Sequence, residues 1–127
     1  MLIKNIVPYE AVDGKFVVRF KKPVQKYAKG YSFQLRLGDP SGEVMARYWG
    51  SDNKDEIERL YNSVKKDGVV YVAGESTLYN DNLVININPP LGKLALYAFD
   101  EAAVIPYLLQ VALLHPFEEL QQLAGFD

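Results

Sequence analysis

Leu35-Arg-Leu-Gly-Asp-Pro-Ser-Gly-Glu-Val-Met-Ala-Arg-Tyr-Trp49 reads as two strands flanking a tight turn. Asp39-Pro40-Ser41-Gly42 is the turn: proline presets φ and glycine accepts a positive one. Leu35 and Leu37 share one face of the first strand, Gln34 and Arg36 the other. Beyond the turn, Val44, Ala46 and Tyr48 alternate with Met45, Arg47 and Trp49. One side of the hairpin is therefore apolar on both strands. The other side collects Gln34, Arg36, Met45, Arg47 and Trp49, a mixture chemically suited to holding phosphates and stacking bases.

Working outward, Lys15 to Gln25 reads as a preceding strand, Phe16-Val-Val-Arg-Phe-Lys at its centre, ending near Pro23. Tyr31 to Leu37 and Glu43 to Trp49 are the second and third strands. A helix is expected over residues 53–66. Ser51 or Asp52 caps it, Asp55 and Glu56 suit its positive end, and Ile57, Leu60, Tyr61 and Val64 form its apolar face. Lys65 and Lys66 favour its C-terminal end and Gly68 stops it. Val69 to Ser76 is a fourth strand, Leu78 to Asn82 a hairpin turn, and Leu83 to Asn88 a fifth strand. In the fifth, Leu83, Ile85 and Ile87 point inward and Val84, Asn86 and Asn88 outward. Pro89-Pro90 ends it. The order β-β-β-α-β-β predicts an all-β, five-stranded OB-fold barrel whose helix plugs one open end.

The length of 127 residues suits one such domain with an appendage: a barrel over residues 1–95 and a helical segment over 96–127. With no cysteine there is no disulfide, thiolate site or cysteine nucleophile. The N-terminus lacks a signal-peptide core, and Ala102 to Leu114 is broken by Pro106 and Gln110 and too short to span a bilayer. A cytoplasmic location with no membrane partner is expected. The net charge of −2 conceals segregation. Gly14 to Gly38 holds seven basic residues (Lys15, Arg19, Lys21, Lys22, Lys26, Lys29, Arg36) and no acidic one. After Lys93 there are five acidic residues and no basic one. A positive stripe accompanied by Tyr27, Tyr31 and Trp49 points to a polyanion. Lysines that guard an exposed strand edge against aggregation give the same composition.

Leu35-x-Leu-x-Asp39-x-x-Gly42-x-Val44-x-Ala46-x-x-Trp49 resembles the nucleic-acid-binding OB-fold domains of replication protein A and single-stranded DNA-binding type. Gly68-Val-Val-Tyr-Val-x-Gly74 with Tyr79-Asn-Asp-Asn-Leu83-x-Ile-x-Ile87 resembles their fourth and fifth strands. The likeness covers roughly residues 14 to 90. It implies a base stacked on Trp49, basic residues in the loop Lys22–Gly30, and an aromatic at the tip of the last hairpin, Tyr79. The position of Met45 is basic in some such domains, and Arg47 stands beside it here.

The expected interface comprises Lys21, Lys22, Lys26, Tyr27, Lys29, Gln34, Arg36, Arg47, Trp49, Tyr79 and Asn86, with single-stranded DNA favoured over RNA. Several have a structural alternative: Trp49 as a rim residue under the helix, Arg36 and Arg47 paired with Glu43, Tyr79 shielding the hairpin, Asn86 a solvated edge residue. Tyr31, outside this set, is expected to pack on the barrel. No cofactor or metal is expected, because His115 is the single histidine. The glycines are turn glycines, not a phosphate-binding loop. Nothing suggests an enzyme. Residues 100–125 are too apolar for a one-faced helix and need a partner surface. Three arrangements supply one: their own barrel, a homo- or hetero-oligomer, or a following catalytic domain. The alternative functions are thus an assembly subunit that binds protein partners through these helices, and a substrate-recruiting domain of a nuclease.

Overall fold

The computed structural model describes residues 1–96. The expected helical segment lies outside them from residue 97 onward. A 3-10 turn, Ile3–Asn5, precedes β1 (Ala11–Tyr27), β2 (Gly30–Asp39), β3 (Gly42–Trp49), α1 (Lys54–Ser63), β4 (Val69–Tyr79), β5 (Asn82–Ile87) and β6 (Lys93–Leu96).

The strands close a five-membered ring. β1 pairs antiparallel with β2, β2 with β3, β3 runs parallel to β5, β5 pairs with β4, and β4 returns to β1. Closure depends on the length of β1, which serves two neighbours. Ala11 to Val17 pairs with β4 and Val17 to Tyr27 with β2. The strand begins four residues before the expected Lys15, because β4 supplies a ladder partner even to Asp13 and Gly14. β6, which sequence reading missed, lies on β4 at Val70–Ala73, below the stretch Glu75–Tyr79 that holds β5.

The expected alternation of β2, β3 and β5 is present. Leu35, Leu37, Val44, Ala46, Ile85 and Ile87 are all buried in the barrel with Phe16, Val18, Val70 and Val72. Tyr48 turns inward and stacks on Phe33, ring centres 5.2 Å apart, while Tyr61 of α1 meets Phe33 edge-on at 5.4 Å. Burial of the Tyr48 ring, and secondarily Glu56, pushes its hydroxyl pKa up. α1 thus plugs the end of the barrel where β2 begins. Ile3 covers the end where β2 stops, its N–H donating to Asp39 Oδ2 at 2.8 Å.

Two irregularities in β1 decide what reaches the outer surface. Strict alternation from Phe16 and Val18 would bring Phe20 inward. A bulge between Val18 and Phe20 changes the phase: Val18 pairs with Leu37, but Phe20 pairs with Arg36. Phe20 is consequently 52% exposed. A second irregularity between Lys22 and Gln25 accommodates Pro23, which has no N–H to give a ladder.

α1 also departs from expectation. Its N-cap is Asn53, whose side chain accepts from Glu56 N at 3.2 Å, not Ser51 or Asp52. Ser51 is still tied to the sheet, its carbonyl accepting from Tyr31 N at 3.0 Å. A side chain at Gly30 would collide with that same carbonyl, so glycine is needed where the two chains cross. The helix stops at Ser63, short of residue 66, because Val64 leaves it in an extended conformation and is completely buried.

Candidate nucleic-acid interface

The outer side of the barrel is a grid of cross-strand neighbours. One row runs Lys22, Gln34, Arg47, Asn86, Glu75 across β1, β2, β3, β5 and β4. The next runs Phe20, Arg36, Met45, Val84, Thr77. Directly opposed side chains start about 5 Å apart, and rows follow at roughly 7 Å. Trp49 opposes Ser32 in the row beyond Arg47, and Tyr79 closes the far end beside Asn82.

Trp49 is held from three directions. Its Nε1 donates to Asn86 Oδ1 at 3.0 Å. The Tyr27 ring meets it edge-on with centres 5.0 Å apart, and Tyr27 Oη donates to the Gly50 carbonyl at 2.7 Å. The Arg47 guanidinium lies 4.3 Å from the centre of the indole, a cation–π contact. Ser32, the ladder partner of Trp49, is buried. Trp49 is therefore neither under the helix nor a free-standing ring. Arg47 makes no hydrogen bond or ion pair among the described residues, and its enclosed Nε has no acceptor.

The structure gathers Lys22, Tyr27, Gln34, Arg36, Arg47, Trp49 and Asn86 on this one side. Tyr79 stands at the hairpin tip, 68% exposed. The tip itself is a two-residue turn in which Asn80 and Asp81 both have positive φ, the type I′ geometry that suits hairpin twist. Arg36 is 3.8 Å from Glu43, an exposed ion pair of little energetic weight.

Two expected residues are not brought to this face. Lys21 points to the plugged end, where its Nζ donates to the Tyr61 carbonyl at 3.0 Å and lies 4.0 Å from the Tyr61 ring centre. Burial, and then the charge of Lys65, pulls its pKa below the ordinary lysine value. Lys26 pairs with Tyr31, out of phase with Gln25 and Tyr27, so it lies on the opposite side of the β1–β2 hairpin from Tyr27. The basic loop expected over Lys22–Gly30 is also not a loop. Lys22 to Tyr27 are in β1, and the connection is the turn Ala28-Lys29, which leaves Lys29 at its tip.

Sequence reading missed Phe20 and Glu75. No sequence signal marks the bulge that turns Phe20 outward. Glu75 was within reach of alternation, since Val70, Val72 and Ser76 are buried and Tyr71, Ala73 and Glu75 lie between them in the opposite phase.

No family model matches this chain, and no curated protein matches it. Solved structures do. The p204 HINb domain is similar over 76% of this chain and 46% of its own, with TM-score 0.57 and 16% identity. The replication protein A heterotrimer bound to ssDNA is similar over 80% of this chain and 25% of its own, with TM-score 0.57 and 17% identity. The OB domain of Ta0387 from Thermoplasma acidophilum matches over 79% of this chain and 88% of its own, with TM-score 0.51 and 15% identity. This chain has the OB fold. Schizosaccharomyces pombe Pot1pC bound to ssDNA is similar over 89% of this chain and 96% of its own, with TM-score 0.55 and 10% identity. The OB domain described here thus spans under half the length of the first two of these chains. None of its described helices is long and apolar enough to cross a membrane.

Proposed function

We propose that this OB domain binds single-stranded nucleic acid, DNA in preference to RNA, across the outer side of β1, β2, β3 and β5. The observation that carries the reading is the grid itself. Lys22, Arg36 and Arg47 occupy neighbouring strands, with exposed Phe20 at one border and Tyr79 at the other. Cations track the phosphates, and the exposed rings stack bases without regard to sequence. Trp49 holds Arg47 and Asn86 in place and contributes ring surface where bases approach. Two of the similar structures, replication protein A and Pot1pC, are complexes with ssDNA. The middle of the grid is apolar, Met45 beside Val84, and leaves a ribose 2′-hydroxyl without a partner there.

The domain acts as a binding module and not as an enzyme. Assembly through residues 100–125 is a further part of the reading, resting on the apolar run Val104 to Leu114. Sedimentation of the full chain across a concentration series checks it: mass above the monomer supports assembly, and a monomer throughout removes it.

The test of the main reading is Trp49 fluorescence titrated with oligothymidylate and oligouridylate. Saturable quenching by both, tighter for thymidylate, is expected. No response to either strand in fluorescence or in anisotropy of a labelled strand contradicts it, and equal affinity contradicts the DNA preference.

A further inference from the structure

The row Gln34, Arg47, Asn86, Glu75 has a polarity that a phosphate does not explain. Arg47 is pressed on the Trp49 ring, and its enclosed Nε has no acceptor among the described residues. Asn86 gives its Oδ1 to Trp49 Nε1, so its Nδ2 is a donor toward anything above it. Arg47 and Asn86 are direct ladder neighbours and together present donors only. The next residue in the row, Glu75, is exposed, pairs with Asn86 in the ladder, and is an acceptor. It lies two strands from Arg47, roughly 10 Å by strand spacing, and forms no ion pair with it or with any other described residue. A phosphate at the Asn86 end of this row, three strands from Lys22, would sit beside a carboxylate. A base edge with neighbouring acceptors and neighbouring donors would satisfy both ends.

We infer that this row reads guanine within the single strand, an inference that rests on the nucleic-acid reading above. Guanine places two acceptors, O6 and N7, on one edge and two donors, N1–H and the N2 amine, on the next. Arg47, with Asn86 beside it, donates to O6 and N7, and the Glu75 carboxylate accepts from N1–H and the amine. Adenine sets a donor, its N6 amine, next to N7 and meets the donor pair badly. Cytosine has only the adjacent acceptor pair, and thymine has neither pair. The indole makes the arrangement rigid: it fixes the plane of the guanidinium and the orientation of the Asn86 amide before any ligand arrives.

The experiment compares thymidylate strands of about fifteen nucleotides, plain or with one central dG, dI or dA, by anisotropy competition. The dG strand is expected to bind about tenfold tighter than the plain strand, the scale of one good base contact. dA should give no gain, and dI, which lacks the N2 amine, only part of it. Arg47→Lys and Glu75→Gln should each bring the dG-to-plain ratio toward one. A ratio reports on the folded fraction alone, so partial unfolding of Arg47→Lys does not mimic this result, and Glu75→Gln alters an exposed residue. Equal binding of all four strands by the native protein overturns guanine reading and leaves the nucleic-acid reading standing. A ratio that survives both substitutions overturns the assignment to this row. Binding of none of the strands overturns the nucleic-acid reading, and this inference with it.

Discussion

Lys21 and Lys22 are adjacent in sequence and have opposite fates. Lys21 points to the plugged end of the barrel, over the last turn of α1, and gives its ammonium to the Tyr61 carbonyl. Lys22 points outward into the row of Gln34 and Arg47 and makes no ion pair among the described residues. The same division separates Tyr48 from Trp49, one stacked on Phe33 in the core and one outside under Arg47. Alternation in a strand assigns neighbouring residues of the same chemistry to different tasks. The inner set holds the barrel together; the outer set is available to a ligand. A count of basic residues along the chain mixes the two.

The largest expected effect lies on the inner side. Phe33→Ala removes the ring that meets both Tyr48 and Tyr61, and should cost about 3–5 kcal/mol of stability. Chemical denaturation measures it. A loss below about 1 kcal/mol would mean that the plug of α1 does not depend on this ring.

Trp49→Ala sharpens the comparison from the other side. It frees Arg47 and Asn86 and removes the ring from the residue opposite Ser32. An affinity loss of roughly tenfold to a hundredfold for oligothymidylate is expected, with a smaller drop in melting temperature than Phe33→Ala. Loss of affinity that merely tracks unfolding would move Trp49 to the inner set.

Phe20→Ala should be a purely outer effect. The ring is 52% exposed, so the melting temperature should hold, while strand affinity falls by about 1 kcal/mol. Unchanged affinity would remove Phe20 from the interface and with it the significance of the bulge that turns it out.

Much of this division was legible beforehand. The β2–β3 hairpin has a turn that names its own ends and an uninterrupted alternation, so Leu35, Leu37, Val44 and Ala46 fall inward as read. β5 was legible for the same reason. β1 was not, because its pairing partner changes at Val17 and its phase changes at two irregularities. Those are tertiary events: only the neighbouring strand reveals that Phe20 faces Arg36 or that Lys26 is opposite in phase to Tyr27. The basic loop was misread because lysine and Pro23 look like loop residues, whereas they sit in the outer half of a 17-residue strand. At the site, the residue types were legible but their mutual contacts were not. Arg47 over Trp49 and Asn86 on its nitrogen follow from the parallel pairing of β3 with β5, strands separated in sequence by a helix and a further strand.

The contrast between Lys21 and Lys22 permits the most direct test of the central claim. Oligothymidylate affinity is measured against salt for the native protein, Lys21→Ala and Lys22→Ala. Lys22→Ala should reduce the slope of log affinity against log salt by about 0.7, the loss of one phosphate contact on a single strand, with unchanged melting. Lys21→Ala should leave the slope as it is and lower the melting temperature. A reduced slope for Lys21→Ala with an unaltered one for Lys22→Ala, or an affinity indifferent to salt in all three proteins, would contradict the assignment of the outer face to nucleic acid.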